Sequence, residues 1–384
     1  MEPVLAGPQA LLRSLNARAV LDVIDAQHPI GRPEIVTATG LSRTTIAQTL
    51  QALVDSGVVV SAGLDTTRRG PAATVYRIDP NAAVGIAAHC SAEAVSVAIV
   101  DVAGAVRATA RTLGVGSDPR ARAEEISRLA HDCLAESSVP GAASAVLDHA
   151  VIGVPGIVQP DRRTLRSVPG FEVGGTALHD ALTAGLGCPV VIENDLNLSA
   201  IAEQRVGRGR ALDTFVVLSL ESGFGAGLIV NGRLFRGSAG GAGEVAFLPY
   251  PGLQLGEEAL GRWAVAEIAR SEGLDPLRSL ADHLHDAGEG SSGAERIATE
   301  VARRIAVAAA GIALVLDPES FVLTGLAAHD QLAPRVAAFA DTRMQQLPLR
   351  FVTSDLGHRG TITGATELVR DALRETAFAA AIGQ

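Results

Sequence analysis

Lysine is absent from the sequence, and cysteines, aromatic residues and long apolar runs are scarce. All 32 basic side chains are arginine, which we interpret as a biased coding composition without functional meaning. The three cysteines, Cys90, Cys133 and Cys188, are scattered and odd in number, so neither a disulfide framework nor a zinc cluster is indicated. The longest apolar run, Ile305–Leu316, has 12 residues and is too short to span a bilayer.

The beginning of the chain, MEPVLAGPQALLRS, lacks the basic region of a signal peptide. We therefore expect a soluble cytoplasmic protein with no membrane partner. Its 384 residues are 47% apolar, only 3% aromatic and include 41 glycines, which is typical of packed α/β proteins with small aliphatic side chains. The length allows two or three domains.

The net charge of −10 lies entirely in residues 81–384, because the arginines and acids of residues 1–80 balance. An acidic body argues against broad nucleic-acid binding, but it permits a small DNA-reading head.

Three helical patterns and a hairpin fill the first eighty residues. The first helix is predicted at about Leu15–Ala26, and the second runs from Pro33 to Gly40. The third begins after Ser42, a good N-cap, and its apolar stripe Ile46, Leu50, Leu53 and Val54 lasts until Gly57. The connection TGLSRTT predicts a tight helix-turn-helix, and VVVSAG and ATVYRI, joined by LDTTRRGPA, predict a β-hairpin wing.

A winged helix-turn-helix places the first turn of its second motif helix in the major groove. That turn, with its cap and the wing tip, gives the candidate DNA contacts Ser42, Arg43, Thr44, Thr45, Gln48, Arg68 and Arg69. Arginine can bind guanine and glutamine adenine, while the wing arginines suit phosphates or the minor groove. The alternative is a solvated helical face beside an ordinary basic loop.

Strands alternate with helices after Asp79-Pro80. AVGIAA and VSVAIVDVAG read as paired strands, HAVIGVPG and SFVLTG as further strands, and FVVLSLESGFGAGLIVNGRLF as two strands with a hairpin at Asn231-Gly232. Helices are predicted at about Asp118–Ser137, Ala294–Leu316 and Thr361–Phe378. Two α/β lobes with a cleft between them fit this order. We expect domains at 1–80 and 81–384, with lobe one at about 81–193 plus 357–384 and lobe two at about 194–356.

The stretch IENDLNLSAIAEQ places Asn194 and Asp195 directly after an apolar run that looks like a buried strand. Open α/β sheets bind ligands at the carboxyl ends of their strands. Asp195 is therefore a candidate base, a ligand clamp, or the N-cap of a helix over Leu196–Arg205.

Several segments resemble the ROK family (repressor, open reading frame, kinase). They are VIGVPGIV at 151–158, VPGF at 168–171, PVVIENDLNLSAIAE at 189–203, SGFGAGLIVNGRLFRGSAGGAGEV at 222–245 and VLTG at 322–325. The preceding winged helix matches the repressor branch. The resemblance implies a winged helix-turn-helix followed by a two-lobed, actin-like (ribonuclease-H-like) ROK domain that binds a sugar between its lobes.

The resemblance also implies a ligand clamp. Asn194 and Asp195 match the family pair that binds the sugar hydroxyls, and in the kinases this Asp is the base. Glu244 matches the acid of the family's Gly-Glu pair. We assign Glu258 to a later acidic contact. Carboxylates and amides pair well with vicinal hydroxyls.

Three departures from the family pattern concern ATP, zinc and the sugar. Family kinases carry an Asp-x-Gly-Gly-Thr turn that holds phosphate and magnesium, where this chain has Ala87 and His89-Cys90, so we expect no ATP transfer, no catalytic residue and no cofactor. Phe247 replaces a histidine that precedes a cysteine-rich zinc loop and also touches the sugar. With no cysteine grouped there, and with His283 and His285 interpreted as solvated, we predict no metal site.

The sequence thus predicts a sugar-responsive DNA-binding transcriptional regulator, with repression as the expected direction. Its partners would be double-stranded operator DNA, a sugar or sugar derivative, and further copies of the chain in a homodimer or homotetramer. Two alternatives stay open: a sugar kinase that retains a DNA-binding head, and a DNA-binding regulator that has lost its ligand.

Overall fold

The computed structural model describes residues 8–27, 29–65, 73–137, 147–221 and 223–382. Its α-helices are α1 (Pro8–Ala26), α2 (Arg32–Thr39), α3 (Arg43–Asp55), α4 (Pro119–Glu136), α5 (Ala177–Leu186), α6 (Asp195–Val206), α7 (Arg262–Ser271), α8 (Leu280–Gly288), α9 (Ser292–Leu316), α10 (Ala333–Arg343) and α11 (Gly360–Ile382). Its strands are β1 (Ile30–Gly31), β2 (Val59–Asp65), β3 (Ala73–Ile78), β4 (Val84–Cys90), β5 (Ala94–Asp101), β6 (Val106–Leu113), β7 (His149–Val154), β8 (Ile157–Val158), β9 (Leu165–Arg166), β10 (Val190–Asn194), β11 (Phe215–Leu220), β12 (Phe224–Val230), β13 (Arg233–Leu234), β14 (Ser320–Gly325) and β15 (Phe351–Thr353). Within these residues, no helix is both long and apolar enough to cross a membrane.

The N-terminal region, which we call the head, contains α1 to α3 and a sheet of order β1-β3-β2. The three predicted helices and the hairpin are confirmed, although α1 begins earlier than expected, at Pro8. Helix α2 ends at Gly40, whose φ of 69° suits a residue without a side chain. Strand β1 was not predicted, because two residues carry no periodic signal. Val54, predicted on the apolar stripe, is 36% exposed.

The first body sheet has the order β10-β7-β4-β5-β6. Strands β4, β7 and β10 are parallel, β5 pairs antiparallel with β4, and β6 pairs antiparallel with β5. Ile86 faces a core shared with α4 and α5, and its neighbour Ala87 faces a core shared with α11, as strand alternation requires. The sheet therefore has helices on both faces.

The second body sheet has the order β13-β12-β11-β14-β15. Its core includes the long helix α9, whose buried face packs against β11, β12 and β14. Asn231 and Gly232 have φ angles of 50° and 70°, which confirms the predicted tight hairpin between β12 and β13.

Helix α6 lies between the two body sheets and packs against β12 on one side and α11 on the other. A Cβ on Gly227 would be 2.3 Å from the Leu196 carbonyl oxygen, and a Cβ on Gly364 would be 1.9 Å from the Leu198 carbonyl oxygen. Both glycines allow a neighbouring element to approach the α6 backbone closely. Gly227 of the glycine-rich motif thus has a packing role.

Candidate functional site

Asn194 ends β10, and its side chain caps α6. Its Oδ1 accepts hydrogen bonds from the backbone N–H groups of Leu196 (2.9 Å) and Asn197 (3.0 Å). Its Nδ2 donates to the Gly156 carbonyl at 3.1 Å. The interpretation of Asp195 as the N-cap is therefore wrong, because Asn194 occupies that position and Asp195 is the first helical residue.

The Asp195 side chain is only partly buried and faces His89. Asp195 Oδ1 accepts from the Leu196 N–H at 2.8 Å, while Oδ2 lies 3.9 Å from His89 Nε2. The two side chains are 21% and 24% exposed, so both are within reach of a bound molecule. The His89 Nε2 atom has no hydrogen-bond partner among the described residues. A ligand hydroxyl placed here could pair with both groups.

Three further carboxyl groups have pKa values above the ordinary value for glutamate. Burial raises the pKa of Glu244 most, and the negative charges of Asp195 and Glu258 raise it further. Burial raises the pKa of Glu221 most, followed by Asp195, and His89 opposes this effect. Burial alone raises the pKa of Glu258. The charges of Asp195 and Glu258 thus act on Glu244, which links the three predicted clamp residues.

Glu221 is a member of this acidic cluster that the sequence analysis missed. It follows β11 directly and belongs to the glycine-rich stretch LESGFG. The only sequence signal was an acid at the end of a strand. Its carboxylate adds a negative charge close to Asp195, which disfavours polyphosphate ligands at this point.

Strand β4 continues through the stretch in which family kinases form a phosphate-binding turn. Its residues pair with β5 as far as Cys90 and with β7 as far as His89. Ala87 is fully buried in the strand. Backbone N–H groups in the ladder are not available to cradle phosphate.

Phe247 lies in a short 3₁₀ helix, Val245–Phe247, directly after Glu244. It is half-buried and packs against the core of the second body sheet. An apolar ring packed on this core thus stands at the position where the family pattern has a histidine.

The predicted DNA contacts of the head cluster at the start of α3. Ser42, Arg43, Thr44 and Gln48 are exposed. Ser42 caps the helix by accepting the Thr45 N–H at 3.1 Å, and the two hydroxyl oxygens lie 2.8 Å apart. The cap prediction is confirmed, and the first turn is presented to solvent. Arg68 and Arg69 lie outside the described residues.

Two histidines that were predicted to be solvated differ in the structure. His285 is exposed. His283 is only 1% exposed and lies on the buried face of α8. The interpretation of His283 as solvated is wrong, because α8 turns that side of its helix toward α9. Among the described residues, no group of three or more potential ligands could hold a metal ion.

A buried ion cluster beside the clamp was also missed. Glu193 is 1% exposed, and its Oε2 accepts from Arg236 Nε (2.9 Å) and Nη2 (2.6 Å). Arg162 Nη2 lies 3.0 Å from the same oxygen. An acid inside the apolar run PVVIE was the signal that could have revealed it.

Comparisons with known proteins place these residues in a wider context. Residues 91–254 match the model of the ROK family. The chain is 26% identical over 242 residues to a xylose repressor of Caldicellulosiruptor bescii, which covers 62% of this chain and 59% of that protein. The chain thus spans less than two thirds of this relative. It is 23% identical to the DNA-binding transcriptional dual regulator NagC of Escherichia coli over 94% of both chains.

A glucokinase of Streptomyces coelicolor is 30% identical over 200 residues, 45% of this chain and 63% of that enzyme. Kinases are therefore relatives as well. Among solved structures, a ROK family transcriptional regulator described as a homolog of the Escherichia coli MLC protein superposes with a TM-score of 0.77. It is 19% identical and covers 97% of this chain and 100% of its own. The predicted fold, a winged helix-turn-helix followed by a two-lobed actin-like domain, is confirmed.

Proposed function

We propose that the chain, whose residues 91–254 match the ROK family model, is a sugar-responsive DNA-binding transcriptional regulator, with repression as its direction. The xylose repressor and NagC among its relatives support this assignment. In this proposal the head binds double-stranded operator DNA, and a sugar or sugar derivative binds at Asn194, Asp195, Glu244 and Glu258.

The observation that carries the proposal is the course of α11. At its first turn, Thr361 Oγ1 lies 3.3 Å from the Asp195 carbonyl oxygen. Near its last turns, Arg374 pairs with Asp25 and Glu375 pairs with Arg18, both of which are on α1 of the head. One continuous helix thus contacts both the clamp and the head, over about 20 Å at 1.5 Å per residue.

The head and body also share one hydrophobic core. Leu21 and Ile24 of α1 belong to the same buried cluster as Val369 and Leu373 of α11. A tilt of α11 would therefore move α1 as well, because packed interiors transmit strain. A ligand that favours one arrangement of the lobes would shift operator affinity through this helix.

The DNA part of the proposal uses the exposed first turn of α3. Arg43, Thr44, Thr45 and Gln48 would face the major groove, with Ser42 at the cap. Arg68 and Arg69 would mainly attract the phosphate backbone of the DNA. The acidic body, with its charge away from the head, suits a protein that binds DNA through this small surface alone.

We further propose that the protein is not a sugar kinase and has no catalytic residue. Ala87 cannot bind a metal ion, the strand hydrogen bonds of β4 extend through His89, and Glu221 places a negative charge near Asp195. Turnover of ATP with D-glucose or D-xylose, abolished by Asp195→Asn, would favour the kinase alternative.

The domain division belongs to the same proposal. It consists of a DNA-binding domain at 1–80 and a ligand-binding domain at 81–384, whose lobes are 81–193 with 357–384 and 194–356. We place the protein in the cytoplasm and expect a homodimer or homotetramer, since a two-fold dimer would match paired half-sites.

Two experiments test the proposed function. Selection of genomic fragments with the purified protein should enrich a common sequence, and the absence of any enriched motif would contradict DNA regulation. In a thermal-shift screen with D-xylose, D-glucose and their phosphates, a sugar that binds should raise the melting temperature of the protein by mass action. No shift with any sugar of a wider panel would favour a regulator that has lost its ligand.

A further inference from the structure

Glu193 immediately precedes the ligand clamp and is the most buried acid near it. Its Oε1 accepts hydrogen bonds from the backbone N–H of Asn194 (3.1 Å) and from Asn197 Nδ2 (2.9 Å). Its Oε2 faces the guanidinium groups of Arg162 and Arg236. One carboxylate therefore contacts the first turn of α6 with one oxygen and two arginines with the other.

The two arginines come from different parts of the body. Arg162 lies in the turn between β8 and β9, next to the first body sheet, and its carbonyl accepts the Ile192 N–H at 3.0 Å. Arg236 follows β13, the edge strand of the second body sheet. The pair Glu193–Arg236 thus connects the first body sheet to a loop of the second.

The same loop touches the first sheet region at a second point. A Cβ on Gly240 would be 1.9 Å from the Val158 carbonyl oxygen, so the loop backbone rests directly on β8. The Gly240 φ of 80° also favours glycine. Arg236 therefore holds this loop to β10 of the first body sheet, and Gly240 rests on the neighbouring two-stranded sheet of β8 and β9.

We propose that Glu193 is a positioning residue for the ligand clamp, and that its pair with Arg236 is the latch that holds the two sheets together around a bound sugar. This inference rests on the proposed function. Glu193 orients Asn194 and the first turn of α6 through Oε1, and it fixes the facing loop through Oε2. Ligand binding and closure of the sheets thereby depend on one carboxylate.

The charges of the cluster explain why it is sensitive to substitution. Two guanidinium groups face one carboxylate, so the local charge is positive, and Arg236 and burial both lower the pKa of Arg162 while Glu193 raises it. Burial is the larger of the two lowering effects. Removing the carboxylate charge leaves two partly buried cations facing each other, which drives the loop of Arg236 away from β10.

Asp101 offers a matched control. It is also fully buried, its Oδ1 accepts the N–H groups of Ala103 (3.0 Å) and Ala105 (2.9 Å), and its Oδ2 lies 3.2 Å from Arg107. It pairs with Val84 at the beginning of β4, whereas the clamp lies near the other end of that strand. Asp101→Asn thus removes a comparable buried charge far from the clamp.

The test compares the full-length wild type, Glu193→Gln and Asp101→Asn by melting temperature, calorimetry with D-xylose and D-glucose, and operator binding without sugar. Both variants should melt at lower temperatures. Glu193→Gln alone should lose about tenfold or more in sugar affinity, since an uncharged amide no longer holds Arg236 and its loop at the clamp. Retained operator binding without sugar shows that the head of each variant is folded.

A Glu193→Gln protein that binds sugar as tightly as Asp101→Asn would overturn the positioning role. If Glu193→Gln does not fold, Arg236→Gln replaces it, because the charges of Glu193 and Arg162 then still neutralise each other. An Arg236→Gln protein with the sugar affinity of the wild type would also overturn the proposal. A wild-type protein that binds no sugar contradicts the proposed function itself, so the two failures are distinguishable.

Discussion

The side-chain hydroxyl of Thr361 donates a hydrogen bond to the main-chain carbonyl of Asp195, and the two oxygens are 3.3 Å apart. The same hydroxyl lies 3.3 Å from Ser199 Oγ. This contact joins the first turn of α11 to the first turn of α6, where the proposed ligand clamp begins. Any movement of Asp195 on ligand binding therefore acts directly on α11.

The ion pair between Arg374 of α11 and Asp25 of α1 should transmit that movement to the head. In Asp25→Asn we expect the ratio of operator affinities with and without sugar to move toward one, because the head is less firmly held to α11. The loss should be a large part of a coupling energy of typically about 1–3 kcal/mol. Sugar affinity, measured by calorimetry, should change only by this coupling.

Two further variants complete that experiment. Exchange of the two charges, in Asp25→Arg with Arg374→Asp, should restore part of the sugar response. Asp286→Asn removes the surface pair with Arg278, which lies away from α11, and should leave the response intact. An undiminished response in Asp25→Asn would show that the pair plays no part in coupling.

Two helical glycines should respond to alanine with opposite signs. In Gly364→Ala the new Cβ would meet the Leu198 carbonyl oxygen at 1.9 Å, so α11 and α6 must separate at a cost of about 1–3 kcal/mol. Gly311 of α9 has nothing within 4 Å of such a Cβ. Gly311→Ala should therefore stabilise the protein by about 0.5–1 kcal/mol. Denaturant unfolding measures both, and destabilisation of equal size would contradict the packing account.

Ionisation of Glu244 should weaken the folded protein in the absence of ligand. Burial, and then the charges of Asp195 and Glu258, raise the pKa of Glu244 above its ordinary value of 4.5, so the folded state binds the proton more tightly than the unfolded state. Stability therefore falls as pH rises from that value through the raised pKa. Glu244→Gln should raise the melting temperature at about pH 8 and raise it less at about pH 5. A gain that does not depend on pH would refute this origin.

Arg43 should contribute base-specific affinity for the operator. Arg43→Ala should cost about 1–3 kcal/mol if its guanidinium binds a base edge at two points. Gln51→Ala serves as a control, because Gln51 is exposed on the same helix and bonds Asp55 at 2.8 Å. Fluorescence anisotropy with the selected operator distinguishes them. Small losses of operator affinity of equal size in both variants would show that Arg43 does not contact the bases.

Sequence periodicity predicted most of the elements because each carries a local signal. The cap at Ser42, the stop at Gly40 and the hairpin at Asn231-Gly232 are examples, since each depends on residues within one turn. Strand β1 could not be predicted in this way. It exists only because Ile30 and Gly31 pair with Tyr76 and Val75 far along the chain.

The candidate site was predicted less completely because its parts are joined by tertiary contacts. The sequence indicated Asn194 and Asp195 together, yet only the structure shows that the Asn194 side chain caps α6. Glu193 required the position of Arg236, which is 43 residues away in the chain. The burial of His283 likewise depends on how α8 meets α9, which helical spacing alone does not reveal.

The central claim is that a sugar bound at Asp195 changes the affinity of the head for its operator. The most direct measurement is an operator titration of wild type and Asp195→Ala, each with and without the sugar that shifts the melting temperature. Asp195→Ala should lose about 1–3 kcal/mol of sugar affinity, since ligand hydroxyls lose a partly buried hydrogen-bond partner. We predict that saturating sugar changes the operator Kd of the wild type, that the same sugar concentration has a much smaller effect on Asp195→Ala, and that both bind operator equally without sugar. An operator Kd that sugar changes equally in both proteins, or in neither while the wild type binds the sugar, would contradict the account.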